Sequence, residues 1–379
     1  MSQRLPSAPP VIPGLVYVRP LGSGGFADVF LYAQDMPRRQ VAVKVLPSDV
    51  RDPGLLRMFN SEADVLAHLS AHPSIVTVYQ AGVSADGRPY IVMEYCPGSF
   101  AQRYRVERLP IADVLATGVR MASALESAHR AGLIHRDVKP SNILITTFGT
   151  PVLADFGIAS SLALDPSDEV LAMSIPWSAP EVIAEDTAGT VSTEVWSLGA
   201  TIYSLLAGHS PFERRDRGEN SREQLKRRIS RASYTPIART DVPGALQDVL
   251  ARAMSRNPDH RYGSAREVAE ALRTVQAELA LPMTPIEVAT EEWAESGPTL
   301  DFSDGSLRGP VRTTIERESH RKPRSRTGMS SHVRDEDTDI TAPGRRPTMR
   351  TAFPWLIAVG GLVLVVATAV TVLLIAGVL

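Results

Sequence analysis

His135-Arg136-Asp137-Val138-Lys139-Pro140-Ser141-Asn142, followed by Ile143-Leu144-Ile145, is the stretch on which the reading of this 379-residue chain turns. It sets a carboxylate, an ammonium and an amide at fixed spacing just ahead of a short β-rich run. Asp137 can take a proton from a hydroxyl group, Lys139 can neutralise a phosphoryl group, and Asn142 can hold a magnesium ion. So many specified residue types at one spacing form a strong motif. Further along, Asp155-Phe156-Gly157 supplies a second oxygen ligand for the metal, and Ala179-Pro180-Glu181 closes the segment.

Upstream, Gly22-Ser23-Gly24-Gly25-Phe26-Ala27-Asp28-Val29 is a glycine-rich run that lets backbone amides approach phosphate oxygens. Alone it reads equally well as a hairpin turn. Strand residues come after it rather than a helix, which argues against a dinucleotide-binding fingerprint. Val41-Ala42-Val43-Lys44 puts one point charge into a β run, as a phosphate ligand or as a strand-edge lysine. Phe59, Glu62, Leu66 and Leu69 share one face of a helix predicted over 55–69, so Glu62 sits on an apolar face and needs a cation.

Around these motifs, the first third of the chain alternates short β-rich runs: VYVRPL, DVFLYAQ, QVAVKVL, IVTVYQAG and PYIVMEY. The rest of the folded part is helical by pattern: VLATGVRMASALESAHRAG, VSTEVWSLGATIYSLLAG, GALQDVLARAMSR and SAREVAEALRTVQAELA. A small antiparallel sheet followed by helices is an α+β arrangement with a cleft. Hydrophobic residues make up 44%, enough for a sizeable core. The formal net charge of −2 argues against a nucleic-acid partner. The single cysteine, Cys96, excludes an internal disulfide framework and a cysteine-based zinc cluster. Of 40 basic residues only four are lysines, and two of those are Lys44 and Lys139.

The order of these motifs resembles the protein kinase family over about residues 17–277, most closely the bacterial eukaryotic-like serine/threonine kinases. The resemblance implies a bilobal fold, with a domain at 15–281, an N-lobe at about 15–95 and a C-lobe at about 96–281. It implies ATP with Mg2+, or Mn2+ in its place, as cofactors. Lys44 would bind the α- and β-phosphates and pair with Glu62; Asp137 would be the base, with Lys139 beside it; Asn142 and Asp155 would hold the metal. Nucleotide contacts would come from Leu21 to Val29, from Ala42, Lys44 and Leu144, and from the backbones of Glu94 and Cys96 behind a gatekeeper, Met93. Glu181 would pair with Arg261. The substrates would be serine and threonine side chains of proteins, the kinase's own among them.

Departures from the family pattern are Ala27 for the third glycine of the loop, and Glu194 where an aspartate usually braces the catalytic loop. The extra methylene of Glu194 is expected to shift that brace. Between Asp155 and Glu181 there is no threonine; Ser160, Ser161, Ser167, Ser174 and Ser178 are the hydroxyl residues, and Ser167 is the switch candidate, with Arg136 as a partner for its phosphate. Cys96 reads as a small hinge residue rather than a redox group. A catalytically inactive kinase-like scaffold is the alternative from another class, and a small-molecule phosphotransferase is a second.

The ends carry a different signal. Residues 1–14 lack an apolar secretory segment and read as disordered. Residues 282–352 read as a disordered linker, acidic over 282–307 and basic over 308–352. The basic half suits anionic headgroups, or is simply solvated. Thr299, Thr338 and Thr341 could recruit phosphothreonine-binding (FHA-type) partners once phosphorylated, or be passive linker composition. From Trp355 to Leu379 no residue is charged, and a helix over 353–379 would cross a lipid bilayer. Arg345, Arg346 and Arg350 before it would keep the kinase domain cytoplasmic, leaving no extracellular domain. Homodimerisation through the N-lobe is a further implication of the resemblance.

Overall fold

The computed structural model describes residues 6–23, 27–46, 59, 63–156, 175–214 and 216–288. The chain divides into two compact units, Met1–Thr299 and Leu300–Leu379, and every described residue belongs to the first. The apolar stretch at 353–379 and the threonines at 299, 338 and 341 lie outside the described residues.

The N-lobe is a five-stranded antiparallel sheet in the order β1-β2-β3-β5-β4. Its strands are β1 (Leu15–Ser23), β2 (Asp28–Gln34), β3 (Arg39–Val45), β4 (Val78–Val83) and β5 (Pro89–Glu94). Alternation along β3 gives the sheet two apolar faces. Val41, Val43 and Val45 point to the outer face with Phe30, Tyr32, Tyr90 and Val92. Ala42 and Lys44 point the other way, opposite Met93 and Ile91 on β5. A helix described over residues 63–69 (α1) lies between β3 and β4 in sequence, and Phe59, Leu66 and Leu69 are buried as their spacing predicts.

The C-lobe begins with a short α2 (Phe100–Arg103) and the long α3 (Ile111–Arg130). A short α4 (Pro180–Ile183) then leads into the second long helix, α5 (Val191–Ala207). Around α3 and α5 pack α6 (Arg222–Ser230), α7 (Gly244–Ala253) and α8 (Ala265–Glu278). Cap chemistry sets several of these ends. Thr190 and Thr193 exchange hydrogen bonds at the start of α5, and Gly208 takes the left-handed cap at its end with φ 80°. The apolar pattern does not reveal α6, because Ile229 is its one fully buried residue; the Ser221/Gln224 capping box marks its start.

A second sheet, β6 (Gly98–Ser99), β7 (Ile143–Ile145) and β8 (Pro151–Leu153), carries the motif loops between the lobes. A parallel bridge between Ile75 and Leu153 joins β8 to the loop ahead of β4.

The packed domain is wider than the 15–281 expected from sequence. Ile12 is 2% exposed and completes the outer face of the sheet, while Tyr32 donates its hydroxyl to the carbonyl of Pro10 at 2.6 Å. At the other end Thr284 is buried. Residues 6–14 and 282–288 are therefore packed against the domain, in place of the disorder expected there; the hydrogen bonds that hold them, such as Tyr32 to Pro10 and Gln276 to Thr284, leave no period in the sequence.

Helices α5 and α7 cross closely at Gly199, where an added Cβ would lie 2.8 Å from the Cβ of Ala253. At Gly118 on α3 the nearest atoms are the flexible tips of Leu272 and Ile202. Alanine gains about 1 kcal/mol of helix propensity at either site, but overpacking a rigid contact costs about 1–3 kcal/mol. Gly199→Ala should lower the melting temperature by a few degrees, while Gly118→Ala leaves it unchanged or raises it; thermal denaturation of the pair checks this.

Candidate active site

The site forms where β3, β8 and the His135–Asn142 loop converge. Lys44 Nζ lies 2.9 Å from Asp155 Oδ1. The Lys44 ammonium holds the Asp155 carboxyl below the usual carboxylate range; burial opposes it, and Lys139 adds a smaller attraction. The Asp155 side chain is still 41% exposed, so the pair opens to the cleft.

Asp137 is held from two sides. Lys139 Nζ is 2.6 Å from its Oδ2. Asn142 Nδ2 donates to the Asp137 carbonyl at 2.8 Å and to Oδ2 at 3.1 Å. With its NH2 so used, Asn142 offers its amide oxygen, which accepts one long bond from Ser141 Oγ at 3.3 Å and has a second lone pair for a metal. An ionised carboxylate at 155 and an amide oxygen at 142 are hard oxygen donors, the set that a Mg2+-like cation takes together with phosphate oxygens and waters. The residues present fit such an ion.

Two residues at the site adopt the left-handed region, Arg136 at φ 67° and Asp155 at φ 62°. Each costs about 1–2 kcal/mol in a non-glycine residue and needs support. Arg136 gets it from Glu194 on α5, whose Oε1 accepts the Arg136 N–H at 2.6 Å. Glu194 Oε2 is 2.6 Å from His129 Nε2 at the end of α3. The extra methylene of Glu194 does not displace the brace; both oxygens are engaged. His135 ties the two loops: Nδ1 accepts the Asp137 N–H at 3.3 Å, so Nε2 donates to the Ala154 carbonyl at 2.9 Å. Ala154 N–H in turn donates to the Asn142 carbonyl at 2.9 Å. The His135 ring also packs on Phe156, with centroids 4.5 Å apart.

Above this, Ala42, Val76, Met93, Val152 and Ala154 form a buried apolar cluster, with Leu21, Val29, Cys96 and Leu144 packed against it. The structure thus brings together Leu21, Val29, Ala42, Met93, Cys96 and Leu144. Sequence reasoning missed Val76, Val152 and Ala154; the apolar run entering Asp155 was the available signal for the last two. It also missed His129, which only the fold places beside Glu194. The backbone of Glu94 pairs with Val41 and donates to the Thr77 carbonyl at 2.8 Å. Burial, and then the charge of Glu94, pushes the Cys96 thiol up to about 12, which keeps it protonated and unreactive.

Asp28 is placed differently from a phosphate-loop side chain. It lies on the outer face, in register with Phe30 and Tyr32, and is fully buried. Its carboxylate accepts from Ser7 N–H at 2.9 Å, Ser7 Oγ at 2.6 Å and Ser23 Oγ at 2.6 Å. Any nucleotide contact at position 28 falls to its backbone. Gly22, Ser23 and Ala27 are described; Gly24, Gly25 and Phe26 are not, nor are Glu62, Gly157 and the serines at 160, 161, 167 and 174. The Lys44–Glu62 pairing and the Ser167 switch therefore fall outside the described residues.

Below the cleft, Arg261 grips Glu181 through two bonds, Nη1–Oε1 at 2.6 Å and Nη2–Oε2 at 2.9 Å. Its guanidinium lies 5.0 Å from the Trp196 ring centre. The pairing expected between these residues is present.

A protein kinase domain model matches residues 15–273. The chain belongs to the protein kinase family. It is 41% identical over 266 residues to the serine/threonine-protein kinase PknK of Mycobacterium tuberculosis, covering 69% of this chain and 24% of that one. It is 32% identical to PrkC of Bacillus subtilis, covering 68% and 40% of the two chains. Against PknL of Mycobacterium tuberculosis it is 35% identical, covering 69% and 65%. The chain thus spans about a quarter of the length of PknK. The crystal structure of the Mycobacterium tuberculosis PknI kinase domain superposes with a TM-score of 0.54 at 31% identity, covering 72% of this kinase and 100% of that domain.

The Lys44–Asp155 pair carries a pH signature. A carboxyl whose folded pKa lies below its unfolded value adds stability above the ordinary carboxylate range, and loses it as pH falls through the folded value. Lys44→Met removes the largest lowering charge and leaves burial, which acts upward, against the weaker attraction of Lys139. Wild type should exceed the variant in stability near neutral pH, and the gap should narrow as pH falls through about 4. Urea denaturation across that range checks it; parallel curves would count against the pair.

Proposed function

We propose that this chain is a serine/threonine protein kinase, transferring the γ-phosphoryl group of ATP to serine and threonine hydroxyls of proteins. The observation that carries the reading is the joint placement of Lys44 against Asp155 and of Lys139 and Asn142 against Asp137. These are the cationic, carboxylate and amide groups that phosphoryl transfer calls for, brought from three separate parts of the chain.

In this reading the apolar cluster around Ala42 and Met93 takes the adenine ring, with backbone groups at Glu94 and Cys96 meeting its edge. Lys44 neutralises charge on the α- and β-phosphates. Asp155 and Asn142 would hold a divalent cation, Mg2+ or Mn2+, which would supply positive charge against that of the phosphates. Asp137, held in place by Lys139 and Asn142, orients the substrate hydroxyl and receives its proton. Lys139 stands next to the transferred phosphoryl group. Arg261 and Glu181 hold the floor on which a substrate segment would rest. The intact brace at Glu194 favours catalysis over the inactive-scaffold alternative.

The finer features extend this reading. The kinase phosphorylates itself, and linker threonines such as Thr299, Thr338 and Thr341 then serve phosphothreonine-binding partners. The uncharged run from Trp355 to Leu379 supports a single membrane span with the kinase domain on the cytoplasmic side, where Arg345, Arg346 and Arg350 keep it. Among the described residues no helix is long and apolar enough to cross a membrane.

Incubating the full chain with Mg-ATP and mapping phosphate by mass spectrometry tests the core of the proposal. Asp137→Asn, which keeps size and loses the acceptor charge, should cut incorporation at least about a hundredfold, the scale of a lost general base. Equal incorporation by both forms would overturn it.

A further inference from the structure

Residues 281–288 leave the end of α8 and reach back to the N-lobe side of the domain. Leu281 N–H donates to the Gln276 carbonyl at 2.9 Å. Gln276 and Thr284 then exchange two hydrogen bonds, Nε2 to Oγ1 at 2.8 Å and Thr284 N–H to Oε1 at 3.0 Å, and both residues are buried. Ile286 packs against the main core. The Glu287 carbonyl meets His72 Nε2 at 2.6 Å.

His72 is wired further inward. Its Nδ1 accepts the Ser74 N–H at 3.0 Å. A backbone N–H can only donate, so the ring proton sits on Nε2, and Nε2 donates to Glu287. Burial pushes the pKa of His72 down, which keeps the ring neutral and both bonds intact. The same loop then pairs with β8: Leu153 N–H donates to the Ser74 carbonyl at 2.8 Å, and Val76 N–H to the Leu153 carbonyl at 2.9 Å. Leu153 stands two residues before Asp155. An unbroken series of hydrogen bonds and covalent links thus joins Thr284 to Asp155.

We propose that residues 281–288 act as a strap that fixes the loop at 70–76 against β8, so that His72, Gln276 and Thr284 are positioning residues for Asp155. The kinase family match ends at residue 273, before the strap begins. A loose tail would be solvated, whereas this one has three separate anchors in eight residues, at Thr284, Ile286 and Glu287. Buried polar groups that satisfy one another specify a single arrangement. The chain beyond Val288 is leashed to the same loop, so a pull or a partner acting on it reaches the nucleotide side of the cleft. The consequence for turnover rests on the kinase reading above; the mechanical coupling does not.

The test uses the full chain. Thr284→Val, close to isosteric, removes the Gln276-to-hydroxyl bond; His72→Leu changes no strap residue and removes both ring bonds, the anchor at Glu287 among them. Hydrogen–deuterium exchange should rise about tenfold at 72–76 and at 152–155 in both variants, with α5 unchanged, as expected for local opening of one linked unit. KM for ATP should rise several-fold in the same variants. Exchange that increases only within 276–288 in Thr284→Val, with 72–76 and 152–155 as in wild type, overturns the strap. Absence of phosphotransfer in wild type would sink the kinase reading while leaving the exchange result to decide the strap.

Discussion

The structure hangs on a buried carboxylate. Glu194 sits one turn into α5, in the centre of the C-lobe, and its two oxygens hold the Arg136 backbone and the His129 ring. A carboxylate inside a protein is costly unless its lone pairs are used. Here both oxygens are used, and the bond to Arg136 supports a backbone conformation that an arginine would otherwise avoid. That turn orients its neighbours: His135 toward Phe156 and Ala154, Asp137 toward Lys139, Asn142 toward Asp137. One side chain thereby joins a helix end to a loop.

The cleft shows why lysine appears where it does. In a chain whose positive charge is nearly all arginine, the two lysines at the site are the two in contact with site carboxylates. A compact ammonium on a flexible stem can serve a carboxylate in one state and a phosphate in another. A planar guanidinium suits a fixed fork, and the chain places one at Arg261, which grips Glu181 with two bonds and lies over Trp196.

Much of this is legible in the sequence. The five N-lobe strands, the long C-lobe helices and the apolar face of Phe59, Leu66 and Leu69 follow from periodicity, because each element buries one continuous face. The site residues are legible as motifs, since phosphate chemistry demands particular groups at particular spacings. The features that escape such a reading have a common cause. Asp28 belongs by sequence to the glycine loop, but its side chain lies on the opposite face, engaged by Ser7. The segments at 6–14 and 282–288 carry no period of their own and are held by single hydrogen bonds and side chains outside them. Helix α6 buries too little to show a stripe.

By itself, the sequence determined the N-lobe strands, the long C-lobe helices and the chemical identity of the cleft, because local periodicity and motif spacing are properties of neighbours along the chain. Tertiary structure alone decided which groups meet. His129 finds Glu194 across 65 positions, Lys44 finds Asp155 across 111, and His72 finds Glu287 across 215. Each depends on how helices and sheets pack, and a hydrogen bond reaches only about 3 Å whatever the distance along the chain.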